Sequence, residues 1–585
     1  MHYSYEKVPT NLTYLGKNSL KHKNRFERRT NEKRHKAAQK VIKKAIYTIC
    51  PPELADAIIN GFRRSDGSDE AAEADFLKTD QPKVELDRDY HYRRALRVTE
   101  QLFRPSKRLL PISFPDLRYY PWTLNVSAEA PFTVQPYWTN VVREKQRDGD
   151  IDNGAHSFHN LYNEVFHLNR QHIHSIKRRN FPFFETINFR RMPRPYYWAS
   201  LHTRAHLVKE GKPDKNRAVF GVPKLLLMAE NMFIWPLQKE YLNGNVKSPM
   251  LWGFETLRGG WKKLIERLTR SINPNGFISA DWSGFDHKAL HSIIDDVHSM
   301  WRSWFDFDAG YEPTNVYPRT TTDPEEIESL WEWMTWNIKH QPIRAESGNM
   351  YQWKFNGIAS GYQQTQLLDS FVNCIMLLTC LSSLSINIEG KDFTIHVQGD
   401  DSIVSFAEMI LLHQKKEFLS ALATEAKRRF NADLSADKTF AGTSLDDLEV
   451  LSYRNRSGLA ERDPDELLAR LLYPERNRDY EATAAAAVGI ATAAMGCSRI
   501  VYDVCKDVYT FITVELGLEP SLLPHDWIYR SGLPIDVTKF PSYEETFLAN
   551  FNTTSRTKAE KQRLWPTLPT GVTDLNPQGF YFLRT

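Results

Sequence analysis

Between residues 260 and 453 the apolar residues change their period repeatedly, and few folds accept that order. "GWKKLIERLTRSI" (260–272) has helical spacing, "GFISADW" (276–282) reads as a short strand, and "HKALHSIIDDVHSMWRSWF" (287–305) returns to helical spacing. "GYQQTQLLDSFVNCIMLLTCL" (361–381) predicts a long, largely buried helix. "KDFTIHVQGDDSIVSF" (391–406) reads as two strands about a tight turn. "LLHQKKEFLSALATEAKRRF" (411–430) then reads as a helix and "LEVLSY" (448–453) as a strand.

Strand, helix, helix, hairpin, helix, strand resembles the split βαβ order, so an α+β fold with a ferredoxin-like antiparallel sheet is expected. A chain of 585 residues is too long for one core, and several subdomains are expected. Net charge is only +4, so the placement of charge matters more than its sum. Residues 17–44 hold twelve Lys/Arg against two acidic residues, as an RNA- or phosphate-contacting arm would or as a solvated tail would. Five cysteines without CxxC spacing argue against a zinc site or a disulfide framework. The first residues have no apolar stretch of signal-peptide type, and no run of membrane-spanning length is read; the nearest, "ATAAAAVGIATAAM" (482–495), predicts a tightly packed internal helix. Residues 111–140, rich in Pro and aromatics, predict irregular packed structure, and the chain after 460 is expected to be mostly helical to about 520.

Three segments carry the chemistry. In "SADWSGFDHK" (279–288), Asp281 ends a strand and Asp286 follows five residues later at a helix start. In "GIASGYQQTQLLDSFVN" (357–373), a small-residue loop with Ser360 and Gly361 enters a helix bearing Thr365, Asp369, Ser370 and Asn373, and such loops let backbone approach a ligand. In "IHVQGDDSIV" (395–404), Asp400 and Asp401 stand at a hairpin tip that Gly and Asp tolerate. Each alone is an ordinary turn or cap. Neighbouring carboxylates repel one another unless cations sit between them.

In this order the three segments resemble motifs A, B and C of viral RNA-dependent RNA polymerases. The resemblance is strongest over about 200–460, and length and "FGVPKLLLMAENMFIWPL" (220–237) point to the partitivirus and picobirnavirus type of segmented double-stranded RNA virus. It implies a right-hand polymerase of fingers, palm and thumb. Asp281 and Asp400, with Asp401 beside them, would hold two Mg²⁺ ions, for which Mn²⁺ could substitute; two such ions stabilise the attacking and leaving oxygens of nucleotidyl transfer. "HLVKEGKPDKNRAVFGVPK" (206–224), expected to be a basic loop, resembles motif F, with Arg217 as the triphosphate contact and Lys215 and Lys209 in support. Lys438 in "LSADKTF" matches the motif D lysine that protonates pyrophosphate, and "VLSYRNRSG" (450–458) resembles motif E, which supports the primer strand. Asp286, Ser360, Gly361, Thr365, Asp369 and Asn373 are the expected nucleotide-binding set. Asp369 stands where many relatives carry Asn, which leaves the 2′-hydroxyl reader open between Asp369 and Asn373.

By resemblance the chain divides into a basic arm and first helix (1–60), fingers (61–259), palm (260–304), a fingers insertion (305–355), palm again (356–458), and thumb with C-terminal tail (459–585). Expected partners are single-stranded RNA template, nascent RNA, NTPs and a viral capsid protein, with no membrane, in the virion interior or host cytoplasm. Two rivals remain. A reverse transcriptase shares the palm, but those usually carry an aromatic where this chain has Gln398. An RNA-binding protein with a decayed palm would not keep Asp281, Asp400, Asp401 and Arg217.

Overall fold

The structure, a computed structural model, describes residues 10–20, 32–242, 248–270, 274–314, 322–435, 438–523, 528 and 533–552. The middle of the basic arm, the end of the 260–272 helix, part of the 305–355 segment, residues 436–437 and the C-terminal tail lie outside them.

The site stands on a four-stranded antiparallel sheet, ordered Thr394–Gln398, Asp401–Phe406, Gly276–Ala280, Phe440–Gly442. The hairpin strands come late in the chain, yet the second inserts beside the early Gly276–Ala280 strand, pairing Ser402 with Ala280 and Phe406 with Gly276. Ile278, Ile403 and Val404 are fully buried, and such β-branched residues suit the centre of a sheet.

Behind the sheet runs the helix Thr365–Ser383, buried on nearly every side. Phe371 meets Phe103 and Trp301 at ring-centroid distances of 4.0 and 5.3 Å, and fully burying such a side chain contributes about 1.5–3 kcal/mol. This corrects the reading that no apolar run reaches membrane-spanning length: the helix is long and apolar enough by length and composition, but 94% of its apolar window lies inside the protein.

Three further readings change. The "LEVLSY" strand is the start of a hairpin, Glu449–Val450 pairing with Tyr453–Arg456. Leu451 and Ser452 turn it with φ of +53° and +62°. The 206–224 loop contains two strands. Leu207–Lys209 pairs with Phe62–Arg64, and Asn216–Gly221 runs antiparallel to Ala199–Ala205. The helix expected from 287 is broken: Phe285–Lys288 is a short turn and His291–Trp304 the main helix. The His287 carbonyl accepts bonds from Thr79 Oγ1 and Asn356 Nδ2, which takes it out of helical bonding.

A second sheet of five strands takes the N-terminal segment Leu12–Lys17 as an edge, paired with Asn349–Trp353. Nearby, the Asn11 side-chain oxygen accepts the Asn356 N–H at 3.0 Å. Residues 32–49, the C-terminal part of the basic arm and beyond, form a helix. Its apolar face (Ala38, Ile42, Ala45, Ile46) joins a core with the helices Pro464–Leu472, Tyr480–Ala493 and Arg499–Thr510. Small residues such as Ala484, Ala487 and Ala491 allow the close approach in that bundle.

Candidate active site

Gln398 pairs with Asp401, so the hairpin turn is only Gly399 and Asp400. Gly399 takes φ +62°, which glycine adopts without the Cβ penalty. Asp400 is therefore the tip, and Asp401 is the first strand residue. The tip is tethered from the buried helix. Ser370 Oγ accepts the Gly399 N–H at 2.8 Å, and Asn373 Nδ2 donates to the Gly399 and Asp401 carbonyls at 3.0 and 3.2 Å. Asn373 Oδ1 accepts the Trp282 Nε1–H at 2.7 Å. The Asn373 amide is thus fully engaged in holding the hairpin.

Asp281 follows the Gly276–Ala280 strand, one ladder step beyond the Ser402–Ala280 pair, and so lies beside Asp401. Its carbonyl accepts the Ser435 N–H at 2.9 Å, and its carboxylate lies 3.7 Å from Lys438 Nζ. Burial raises the Asp281 carboxyl above the usual range, and Asp400 adds to the rise, while Lys438 and Lys215 oppose it. Asp401 is pushed up to about 7, first by burial and then by Asp400 and Asp281, although the Leu451 N–H donates to it. Left-handed φ at a non-glycine residue costs roughly 1–2 kcal/mol, so the Leu451–Ser452 turn stores strain where it aims an amide at this carboxyl.

Deeper in, the Asp369 carboxyl stands close enough to Asp286 for the two negative charges to oppose one another. Burial, with Asp400 next, pushes Asp286 up to about 6. Burial, then Asp286 and Asp400, raises Asp369 well above the carboxylate range. Asp369 Oδ1 has no hydrogen-bond partner among the described residues. Of the two residues left open for the 2′-hydroxyl, Asp369 has an unused atom and Asn373 does not.

One cavity of about 700 Å³ gathers Asp281, Asp400 and Asp401 with Lys215, Arg217 and Lys438. Arg217 sits on the strand Asn216–Gly221, whose alternate residues Ala218 and Phe220 are buried; the Ala218 N–H is bonded to Asp75 at 2.9 Å. Burial lowers the Lys215 ammonium pKa, Arg217 and Lys438 add to this, and Asp281 and Asp400 oppose it. Lys209 is not brought to the cavity lining; its ammonium lies 5.9 Å from the Phe62 ring centroid. Ser360 is exposed, and Thr365 Oγ1 donates to the Ala359 carbonyl at 2.6 Å, closing its own loop. Gly361 abuts the strand that carries Arg217: a Cβ there would stand 2.1 Å from the Phe220 carbonyl oxygen.

The cavity lining also holds residues that sequence reasoning did not assign, among them Arg454, Arg462 and Arg470, together with His206, whose N–H donates to the Lys215 carbonyl at 2.9 Å. Arg454 lay within a segment already singled out. Arg462 and Arg470 gave no signal, since a charged residue just before a helix or in its last turn is usually solvated.

Among the described residues no three His, Cys, Asp or Glu close into a preformed metal cage. The donor set still fits Mg²⁺, which needs only one or two carboxylates besides substrate phosphates. Burial is the main cause that raises the carboxyls at 281 and 401, and the neighbouring carboxylates add to it, so a cation beside them would favour their ionised forms. A sign follows for pH. A carboxyl whose folded pKa exceeds its unfolded value costs stability as pH rises from the unfolded value through the folded one. For Asp401 that window runs from 3.8 to about 7. A divalent cation requires the ionised form, so millimolar Mg²⁺ should raise the melting temperature more at pH 8 than at pH 6. Equal shifts at both pH values would remove these carboxyls as ligands.

Comparison with known proteins agrees in one direction. The family model described as viral RNA-dependent RNA polymerase matches residues 188–488. The chain is 29% identical to the RNA-directed RNA polymerase of White clover cryptic virus 1 (isolate Boccardo/2004), over 96% of each chain. It is 25% identical to the RNA-directed RNA polymerase of Atkinsonella hypoxylon virus (isolate 2H), over 70% of this chain and 66% of that one.

Proposed function

The chain belongs to the viral RNA-dependent RNA polymerases, and from that premise we infer how its cavity builds RNA. The reading is template-directed transfer of NTPs to an RNA 3′-hydroxyl, serving transcription and replication of a double-stranded RNA virus. Residues 260–304 and 356–458 form the palm, 61–259 and 305–355 the fingers, and 459–585 the thumb and tail. The observation that carries the reading is the meeting of Asp281, Asp400 and Asp401 with Lys215, Arg217 and Lys438 around one cavity.

Asp281 and Asp400, with Asp401 beside them, would hold two Mg²⁺ ions. When bound, such ions supply Lewis-acid stabilisation of the attacking and leaving oxygens. The protein's own groups position and neutralise. Arg217 grips the triphosphate with its planar fork, and Lys215 adds charge. Lys438, 3.7 Å from Asp281, protonates the departing pyrophosphate, a contribution of about 10²–10⁴-fold. The Ser360–Gly361 loop brings backbone to the nucleotide, and the Asp286–Asp369 pair reads the ribose 2′-hydroxyl. The 32–49 helix turns Lys36, Lys40 and Lys44 outward, where they suit RNA phosphates or an acidic capsid surface in the virion.

The test is incorporation of NTPs and dNTPs on a single-stranded RNA template with Mg²⁺. Template-dependent use of NTPs alone is expected; dNTP use at comparable rates would favour a reverse transcriptase. A sharper prediction concerns Asp369. Asparagine is isosteric with a protonated aspartic acid and donates a hydrogen bond as that acid does. Asp369→Asn should stay within about tenfold of wild-type activity and keep its sugar preference, whereas Asp369→Ala should lose discrimination about 10- to 100-fold, the scale of a buried polar group left without its partner. Unchanged discrimination in the alanine variant would dismiss Asp369 as the reader.

A further inference from the structure

The helix Thr365–Ser383 begins without a side-chain cap of its own: Gln364 occupies the N-cap and makes none. Its first N–H groups need acceptors from elsewhere. The Thr365 N–H reaches the Tyr362 carbonyl at 3.4 Å, while Glu230, fully buried on the helix Lys224–Leu242, takes the N-cap N–H of Gln364 and that of Gln363 just before it. Its Oε2 accepts the Gln363 N–H at 3.3 Å, and its Oε1 accepts the Gln364 N–H at 3.4 Å and the Gln364 side-chain amide at 2.9 Å. Gln238, eight residues further on the same helix, donates to the Gln363 carbonyl at 3.2 Å. The Tyr120 hydroxyl donates to Gln363 Oε1 at 3.1 Å, and a His298 ring nitrogen lies 2.7 Å from Gln364 Oε1. Two residues upstream, Gly361 sits against the Phe220 carbonyl.

The loop 360–365 is therefore gripped at both ends by one continuous stretch of chain. That stretch starts at the Arg217 strand and ends in the Glu230 helix. No cation figures among the groups that act on Glu230, and burial pushes its pKa up to about 8. A buried carboxyl without a cation is an expensive way to stabilise a core, and apolar residues of similar volume are often as good or better. Its retention makes sense if it sets geometry, as at sites that trade stability for function.

We propose that Glu230 is a positioning residue for the polymerase reaction: it caps the Thr365–Ser383 helix from outside and fixes the Ser360–Thr365 loop relative to Arg217. Phosphate grip and ribose check are thereby held at one spacing, which rests on the reading of that loop as nucleotide-facing. Glu230 touches no reacting atom and acts through Gln363 and Gln364.

The test uses the full-length chain with Glu230→Leu and Glu230→Gln. Amide hydrogen exchange over 360–366 reports the cap directly, and steady-state NTP incorporation reports its use. In Glu230→Leu, exchange at Gln363 and Gln364 should quicken while the melting temperature holds or rises. KM for NTP should rise about 10- to 100-fold, the scale of an ångström-sized misplacement, with a smaller change in kcat and weaker NTP-over-dNTP preference. Glu230→Gln, which keeps one acceptor oxygen, should fall between, and it carries the test if the leucine variant does not fold. Unchanged exchange would overturn the cap. Faster exchange with wild-type KM and sugar preference would reduce Glu230 to a structural cap and overturn the positioning role. If Asp369→Ala leaves sugar preference intact while Glu230→Leu still raises KM, the ribose reading falls and the clamp stands.

Discussion

Asp400→Ala should abolish RNA synthesis and leave the fold in place. The residue is the outermost of a two-residue turn whose geometry depends on Gly399 and on tethers from Ser370 and Asn373, none of which uses the Asp400 side chain. Removing its carboxylate also relieves the repulsion that helps raise Asp281 and Asp401. The melting temperature at pH 8 should therefore match or exceed that of the wild type. Activity goes the other way. Charge stabilisation by metal at a transferring phosphoryl group is worth several kcal/mol, and at 1.36 kcal/mol per decade that is about 10³-fold or more. Extension of a labelled RNA measures it. Synthesis within about tenfold of wild type would sink the assignment of the tip as the shared ligand.

Gly361→Ala has the second-largest expected effect, through one methyl group. The added Cβ would lie 2.1 Å from the Phe220 carbonyl oxygen and 3.1 Å from Val222 Cγ2, so something must move by about an ångström. The Asn216–Gly221 strand is held by its pairing with Ala199–Ala205 and by the Asp75 bond to the Ala218 N–H. The loop is held mainly at Gln363 and Gln364, two and three residues further on, so the strain falls on its Ser360–Gly361 end. A shift of that size at a substrate-positioning element costs about 10²-fold in rate, while overpacking costs about 1–3 kcal/mol of stability. Turnover and a thermal melt on the same preparation separate the two. Wild-type turnover would mean that the loop does not need its present seat.

The acidic residues were legible because their chemistry is local: Asp281, Asp286, Asp400 and Asp401 each stand at a strand end or turn that hydrophobic period marks out. Their supports were not. Asn373 reads in sequence as one more polar residue on a buried helix, and only the fold brings it to Gly399. Leu451 and Ser452 look like strand, since nothing in a Leu-Ser pair signals a left-handed turn; the turn shows only once Val450 is seen paired with Tyr453. Arg217 alternates with Ala218 and Phe220 in strand fashion, but the Lys-Pro-Asp just before it disguised the strand as loop. Glu230 sits in an apolar run where a lone glutamate is unremarkable until burial is known. The long core helix hid its length from a membrane-span reading because Thr, Ser and Asn are scattered along it. In each case the missing information was a contact between distant parts of the chain.

The N-terminal segment packs against partners that come late in the chain. Asn11 meets Asn356 across 345 residues, and the 32–49 helix takes much of its seat from helices that run as far as Thr510. At a ribosomal pace of roughly 5–20 residues per second, the first strand waits some 17–70 s for its partner to be made. The second sheet, whose strand carries Arg217, stays open at one edge for all of that time. A prematurely ended product would therefore keep Asp281, Asp400 and Asp401 yet lack the helices that seat its own beginning.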